Sequence, residues 1–427
     1  MILATFILSL LGAMALGVPI AIALLFCGVC LMIVMGNFDS QIIAQNLING
    51  ADNFPLMAIP FFILAGEFMN AGGMSKRIVD FAMALVGHIR GGLGYVAILG
   101  GIIFAGLSGS AVADTAALGA LLIPMMRDAG YNTNRSAGLL AASGIIAPII
   151  PPSIPMILFG VTANVSITKL FMAGIVPGLL IGLALVVTWW WVVRKDNVQV
   201  QPRKSAKETW MATRKAFWAL ILPILIIAGL RGGVFTPTEA GAIAAFYALF
   251  VGMFIYRELK IKDLYGLLLQ AGKTTSVVMF LAAAAMVSAW LITVANIPSE
   301  VTDLLGPVAD HPLLLMLAIN ILLLIVGTAI DLTPTILILT PVLMPIVQQA
   351  GIDPIYFGLI FVLTNCIGLL TPPVGNVLNV ACGVARITIE DIMKGVWPFL
   401  LVECLVLLVL TLFPDLTLVP LQWFYNE

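Results

Sequence analysis

Two acids stand alone in very apolar surroundings. Asp114 is the only charged side chain between Arg90 and Arg127, and Asp331 is the only one between Pro312 and Ile352. Asp114 lies in AGLSGSAVADTAALG (105–119), rich in glycine and hydroxyls, and Asp331 in GTAIDLTPT (327–335), with one glycine and three threonines. An unpaired acid near mid-membrane costs on the order of 3 kcal/mol or more, so each carboxylate needs a partner or a task. Two chemistries fit. A carboxylate at the start of TAALGALL accepts amide hydrogens from the helix that follows; alternatively, carboxylate, hydroxyl and carbonyl oxygens together suit a hard cation such as Na⁺, whereas Mg²⁺ and Ca²⁺ ask for more charge or retained water. For Asp331 the neighbouring Thr333-Pro334 is itself a good helix start, which leaves that carboxylate freer to bind.

Other chemistries lack material. The only histidines, His88 and His311, sit near charged, extramembrane stretches, so a His-based relay or metal site is not expected. Cys27 and Cys30 form C-x-x-C, but the second pair that a zinc site needs is missing; Cys366, Cys382 and Cys404 also lie in apolar segments. Gly106-Leu107-Ser108-Gly109-Ser110 nearly spells a nucleophile elbow, yet Ser110 replaces the last glycine, no buried histidine offers a base, and no strand precedes it. An intramembrane enzyme is therefore disfavoured.

The solvent follows from composition. Hydrophobic residues make up 61% and charged residues only 10%, against about 25% charged in soluble proteins. The chain reads as a polytopic protein of the lipid bilayer. A net charge of −1, with no basic stretch interleaved with aromatics, offers nothing to nucleic acid. The N-terminal apolar stretch lacks the basic start of a signal peptide and suits two tight membrane passes of about 17–20 residues each.

Positioning elements come next. The connection 194–215 holds seven Lys/Arg against two acids and should be cytoplasmic, as should Arg257/Lys260/Lys262 and Lys76/Arg77/Arg90; loops 36–53 and 296–311 hold no Lys or Arg and face outside. The run 92–126 begins after Arg90 and ends before Arg127, both inside. Being too long for one helix and short for two full passes, it predicts a re-entrant hairpin with arms 92–105 and 115–126 and a tip at 106–114. Backbone turning at that depth is tolerated only where protein or a water-filled cavity covers it.

A shift of 221 residues brings Gly106 onto Gly327, Pro124 onto Pro345, Gly130 onto Gly351 and Pro151-Pro152 onto Pro372-Pro373. A second hairpin is thus expected at 312–347. With five crossings besides each hairpin, the second copy is inverted. Each hairpin is followed by a helix interrupted by a double proline, 136–160 and 357–382, since proline removes a donor and blocks continuation. The fold expected is an all-α polytopic membrane protein with two inverted repeats, a transporter architecture that binds near the midplane. Freed carbonyls and hydroxyls would hold sodium, and half-helix N-termini would attract a carboxylate; no basic residue lies in the buried segments to do so, which points to co-transport with the cation. Opposed re-entrant loops also build channels, the rival reading; paired hairpins with proline breaks suit alternating access better.

The stretch GLSGSAVADTAALG, the PPS and TPP breaks, and NFPLMAIPFFILAGEFMNAGG (53–73) together resemble the large membrane subunit of tripartite ATP-independent periplasmic (TRAP) transporters, over essentially the whole chain. The resemblance implies an elevator-type, sodium-driven importer of organic acids in a bacterial inner membrane. Sialic acid is the first expectation and a C4-dicarboxylate the second. It also implies two partners, a small four-helix membrane subunit and a soluble periplasmic substrate-binding protein, with no cofactor other than Na⁺ as coupling ion. Carried onto this sequence, the sodium regions are Ser108, Gly109, Ser110, Asp114, Thr115 and Pro148 in the first half, and Gly327, Thr328, Asp331, Thr333, Thr371 and Gly375 in the second. Pro151, Ser153, Pro373 and Asn376 fall to the substrate. Residues 1–72 would be scaffold, 73–168 a transport half, 169–295 scaffold with the basic loop, 296–386 the second transport half, and 387–427 a terminal helix and tail. Trp189, Trp190 and Trp191 beside Arg194 look like interfacial anchors.

Overall fold

A computed structural model describes residues 2–194, 196, 198–308 and 311–425. Lys195 and Asn197 of the basic connection, Ala309 and Asp310 of the loop 296–311, and Asn426 and Glu427 of the tail lie outside the described residues. Those described contain twenty α-helices and no strand. In chain order these are α1 (Ile2–Ala15), α2 (Ile20–Val34), α3 (Ser40–Ala51), α4 (Ala58–Ala71), α5 (Met74–Val86), α6 (Gly92–Ser108), α7 (Ala111–Asp128), α8 (Thr133–Gly144), α9 (Ile154–Thr162) and α10 (Ile167–Val193). There follow α11 (Ala206–Arg231), α12 (Pro237–Phe250), α13 (Ile261–Val294), α14 (Ile297–Leu305), α15 (Pro312–Gly327), α16 (Leu332–Gln349), α17 (Pro354–Gly368), α18 (Asn376–Ala385), α19 (Ile389–Leu412) and α20 (Asp415–Tyr425). Seven helical stretches are long and apolar enough to cross a membrane, the longest being α13 with 34 residues.

Local chemistry explains several boundaries that hydropathy misses. Helix α11 begins ten residues before its apolar run, because Ser205 and Glu208 form a reciprocal capping box at its start. Much of the basic connection is therefore helical rather than loop. The stretches 36–53 and 296–311 contain helices as well: α3, capped by Asp39, lies against α13, and α14 reaches α1, α13 and α16.

The hairpins are tighter than the sequence suggests. The first turns within Gly109-Ser110, not across 106–114, and its arms run 17 and 18 residues, about 26 Å each at 1.5 Å per residue. The reason is chemical: Ser110 caps α7 directly, its hydroxyl accepting from the Ala113 amide, so the returning helix starts at once. The second hairpin has arms α15 and α16 joined by Thr328–Asp331. Helices α7 and α16 begin and end 221 residues apart.

Both broken helices lie at the centre. Every residue from Ser136 to Gly144 and from Ile355 to Gly368 is buried, as expected for helices apolar all round. Helix α8 is enclosed by α6, α7, α10, α18 and α19; α17 by α9, α10, α15, α16 and α19. Backbones meet closely there: a Cβ on Gly138 would lie 2.8 Å from Val396 Cα, and one on Gly395 2.2 Å from the Asn134 carbonyl oxygen. Small residues allow such helix pairs to form. Outside this centre α4 packs on α12 and α13, and α13 runs along α2 and α3.

The tryptophan row divides. Trp190 and Trp191 are exposed, with Arg194 over the Trp190 ring at 3.3 Å, as befits an interface. Trp189 is not an anchor: it is 1% exposed, donates to the Gly91 carbonyl at 2.8 Å, and stacks on Tyr131 with centroids 6.1 Å apart. Helical rotation of about 100° per residue turns it inward where its neighbours face out. Trp189→Ala should lower the melting temperature of the detergent-solubilised protein markedly, as removing a buried aromatic costs about 3–5 kcal/mol, while Trp191→Ala should leave it nearly unchanged.

Candidate functional site

At the first tip a short chain of hydrogen bonds fixes the turn. Ser108 Oγ accepts from the Ser110 amide at 3.1 Å and donates to Asp114 Oδ1. Asp114 is therefore not the cap of α7, which is Ser110; it sits one turn inside, 2% exposed, with Oδ2 unpartnered. Gly109 takes φ +62, and a Cβ there would lie 2.6 Å from the Pro152 carbonyl oxygen. Only glycine allows this tip to press its backbone against the first break. Thr115 Oγ1 is also buried without a partner, beside Gly144, where a Cβ would come within 1.9 Å of it.

The second tip is held by the second break. The amides of Val374 and Gly375 donate to the Thr328 carbonyl at 3.1 and 3.3 Å. Gly375, at φ +51, supplies the left-handed residue that this turn requires. Gly327 lies against α17 so closely that a Cβ would be 2.9 Å from Asn365 Oδ1 and 3.0 Å from Gly368 Cα. Asn365 is fully buried, and neither its Oδ1 nor its Nδ2 has a hydrogen-bond partner. Asp331 occupies the N-cap position of α16, but its side chain makes no capping hydrogen bond.

A cavity of about 490 Å³ joins the two tips, within the range of small-molecule clefts. Ser108, Gly109 and Ser110 line it from the first tip, Pro148 from the first break, and Asp331 and Thr333 from the second tip. The lining also holds Glu67 and Asn70 of α4, and Gln270 and Thr274 of α13. Each pair is three or four residues apart, hence on one helix face. Among the described lining residues there is no Lys, Arg or His. Nor do three His, Cys, Asp or Glu side chains converge as a metal cluster among the described residues. The unpartnered oxygens of Asp114, Thr115 and Asn365 fit a weakly charged, oxygen-coordinated ion better than a transition metal.

The remaining residues singled out above stand behind or beside the cavity. Ser153 is fully buried and serves as the cap of α9, accepting from the Met156 amide at 3.2 Å and donating to the Pro148 carbonyl. Pro151 is buried in the same break. Thr371 donates to the Ile367 carbonyl at 3.1 Å, Pro373 is exposed, and Asn376 opens α18; none of the three lines the cavity. Sequence reading passed over Glu67, Asn70, Gln270 and Thr274. A signal existed for one of them: Glu67 is the only charged residue of the apolar span Phe54–Ala71, the isolation that drew attention to Asp114 and Asp331.

Helices long enough to span a bilayer, with two polar hairpin tips lining one cavity, make this a multi-pass membrane transporter protein. The chain belongs to the family described as the tripartite ATP-independent periplasmic transporter, DctM component, which matches residues 7–416; it is a large permease subunit and not an enzyme. It is 59% identical over 418 residues to the 2,3-diketo-L-gulonate TRAP transporter large permease protein YiaN of Escherichia coli, covering 98% of each chain. It is 40% identical over 408 residues to the sialic acid TRAP transporter large permease protein SiaM of Vibrio cholerae, covering 96% of each. The YdaH transporter of Alcanivorax borkumensis shares the fold at a TM-score of 0.61 and 15% identity, with 87% of each chain covered.

Gly327→Ala tests the seating of the second tip. The added methyl group must push Asn365 or the α17 backbone, and overpacking of this kind costs about 1–3 kcal/mol. A lowered melting temperature and lost transport are expected. Gly266→Ala, with nothing within 4 Å of its Cβ, should cost neither.

Proposed function

We propose that this chain imports an organic acid by sodium-coupled symport and an elevator motion, taking its solute from a periplasmic binding protein and working beside a small four-helix membrane subunit in a bacterial inner membrane. The observation that carries this reading is one cavity lined both by the two hairpin tips and by α4 and α13. A solute held by the tips and faced by separate helices can change sides when the tip-bearing bundle slides past its neighbours. The agreement of α7 with α16 at an offset of 221 residues supports two related halves, here read as inverted repeats.

Charge supports the coupling. The cavity holds two acids, Glu67 and Asp331, and no basic side chain among the described residues. A carboxylate held ~6 Å from either would cost on the order of 3 kcal/mol at an effective dielectric near 20. Cations must therefore enter first. The oxygens available to them are Asp114 Oδ2 and Thr115 Oγ1 beneath the first tip and Asn365 Oδ1 beneath the second, with Asp331 at the cavity wall. With sodium in place, the solute carboxylate meets the free amides at the start of α7, which carry partial positive charge. The relative named for 2,3-diketo-L-gulonate, at 59% identity, favours a sugar acid, with sialic acid the first choice among these; relatives named for sialic acid and for C4-dicarboxylates both stand at 40%.

The test is uptake into proteoliposomes holding this chain and its small partner, with solute-loaded binding protein outside and an inward sodium gradient. Uptake should need both sodium and binding protein, and should fall at least tenfold in Asp331→Ala. Flux without sodium would overturn the coupling. Full activity of Asp331→Ala would remove that carboxylate from the site.

A further inference from the structure

Two parts of the cavity lining are chemically unlike. In one, Ala111, Val112 and Ala113 open α7 against the cavity, and only the Ala113 amide is used by the Ser110 cap. That part offers hydrogen-bond donors and partial positive charge to an anion. On the wall formed by α4, Glu67 is partly buried and makes no hydrogen bond or ion pair among the described residues. An ionised carboxylate has acceptors only, up to four lone-pair sites, and donors must come from elsewhere. Its lining neighbours Asn70, Gln270 and Thr274 are neutral, with Asn70 Oδ1 already accepting from Ser75 and the Thr274 hydroxyl donating to the Gln270 carbonyl.

Apolar packing gives no reason to keep an acid there. Glu67 is the single charge in Phe54–Ala71, and such residues are costly within a membrane unless they serve a site. Solute hydroxyls are the donors it lacks. A second solute carboxylate would meet it as a like charge, with no basic side chain among the described lining residues to relieve the repulsion.

We propose that Glu67 is a specificity-determining residue: it accepts hydrogen bonds from the hydroxyls of a polyhydroxylated monocarboxylate and turns away dicarboxylates. The solute then lies with its carboxylate at the start of α7 and its hydroxylated portion toward α4. The membrane subunit thereby adds its own selection to that of the binding protein. The inference rests on the cavity being the solute site and deepens that reading.

The experiment is calorimetric titration of the complex of this chain with its small partner, in lipid nanodiscs with sodium and without binding protein. The probes are N-acetylneuraminate, D-gluconate and succinate. Native complex should bind at least one of the two hydroxylated acids about tenfold or more tightly than succinate. Glu67→Gln should weaken that acid about tenfold, the loss of a charge-assisted hydrogen bond, and strengthen succinate. Glu67→Asp should keep the native order of preference, and the melting temperature of each variant checks that it is folded. Sodium-dependent binding with an unchanged preference in Glu67→Gln would overturn the role of Glu67 while leaving the transporter reading intact. Binding of hydroxylated acid that ignores sodium but still responds to Glu67→Gln would do the reverse. Native preference for succinate, or no binding of any of the three by folded complex, would overturn the proposal.

Discussion

Everything in this molecule depends on closing the backbone hydrogen bonds at two helix interruptions, the first wholly buried and the second exposed at Pro372, Pro373 and Val374. Hydrocarbon supplies no water to an unpaired amide or carbonyl, and each one left open costs several kcal/mol. The chain meets this demand by pressing a hairpin tip onto each break. At the second, Val374 and Gly375 give their amides to Thr328. At the first, Ser153 bridges from the Met156 amide to the Pro148 carbonyl, and Gly109 lies flush against Pro152. Tip and break therefore stabilise each other.

Function grows out of what this closure leaves over. Most donors and acceptors at the tips are consumed locally, but a few oxygens stay unpartnered, on Asp114, Thr115 and Asn365. Half-helix starts remain open toward the cavity. A membrane interior concentrates the effect of such leftovers, because charge is weakly screened there. The same tight seating that satisfies the backbone thus presents a small set of strong, oriented groups to whatever fills the space between the halves.

The part of the lining formed by α4 and α13 is of a different kind. Both helices are unbroken where they line the cavity, and the polar side chains they present are Glu67, Asn70, Gln270 and Thr274. The cavity is accordingly lined by short hydroxyls and helix starts from the tips and by longer polar side chains from α4 and α13.

Much of this was legible beforehand, and for a physical reason. Proline pairs, glycines and isolated acids are exceptions in an apolar chain, and each exception marks a place where the backbone must turn or a charge must be matched. The hairpins, the two broken helices and the interest of Asp114 and Asp331 followed from those residues alone. Sequence did not determine which hydroxyl a tip uses to close itself and which it turns outward. Ser110 became the cap instead of Asp114, Ser153 was spent inside its break, and Trp189 turned into the core beside two exposed tryptophans. Glu67, Ser108, Gln270 and Asp331 lie far apart along the chain, and no local pattern relates them. Only tertiary packing set them around one cavity, because helix rotation and depth are fixed by contacts between distant segments rather than by the residues next in line.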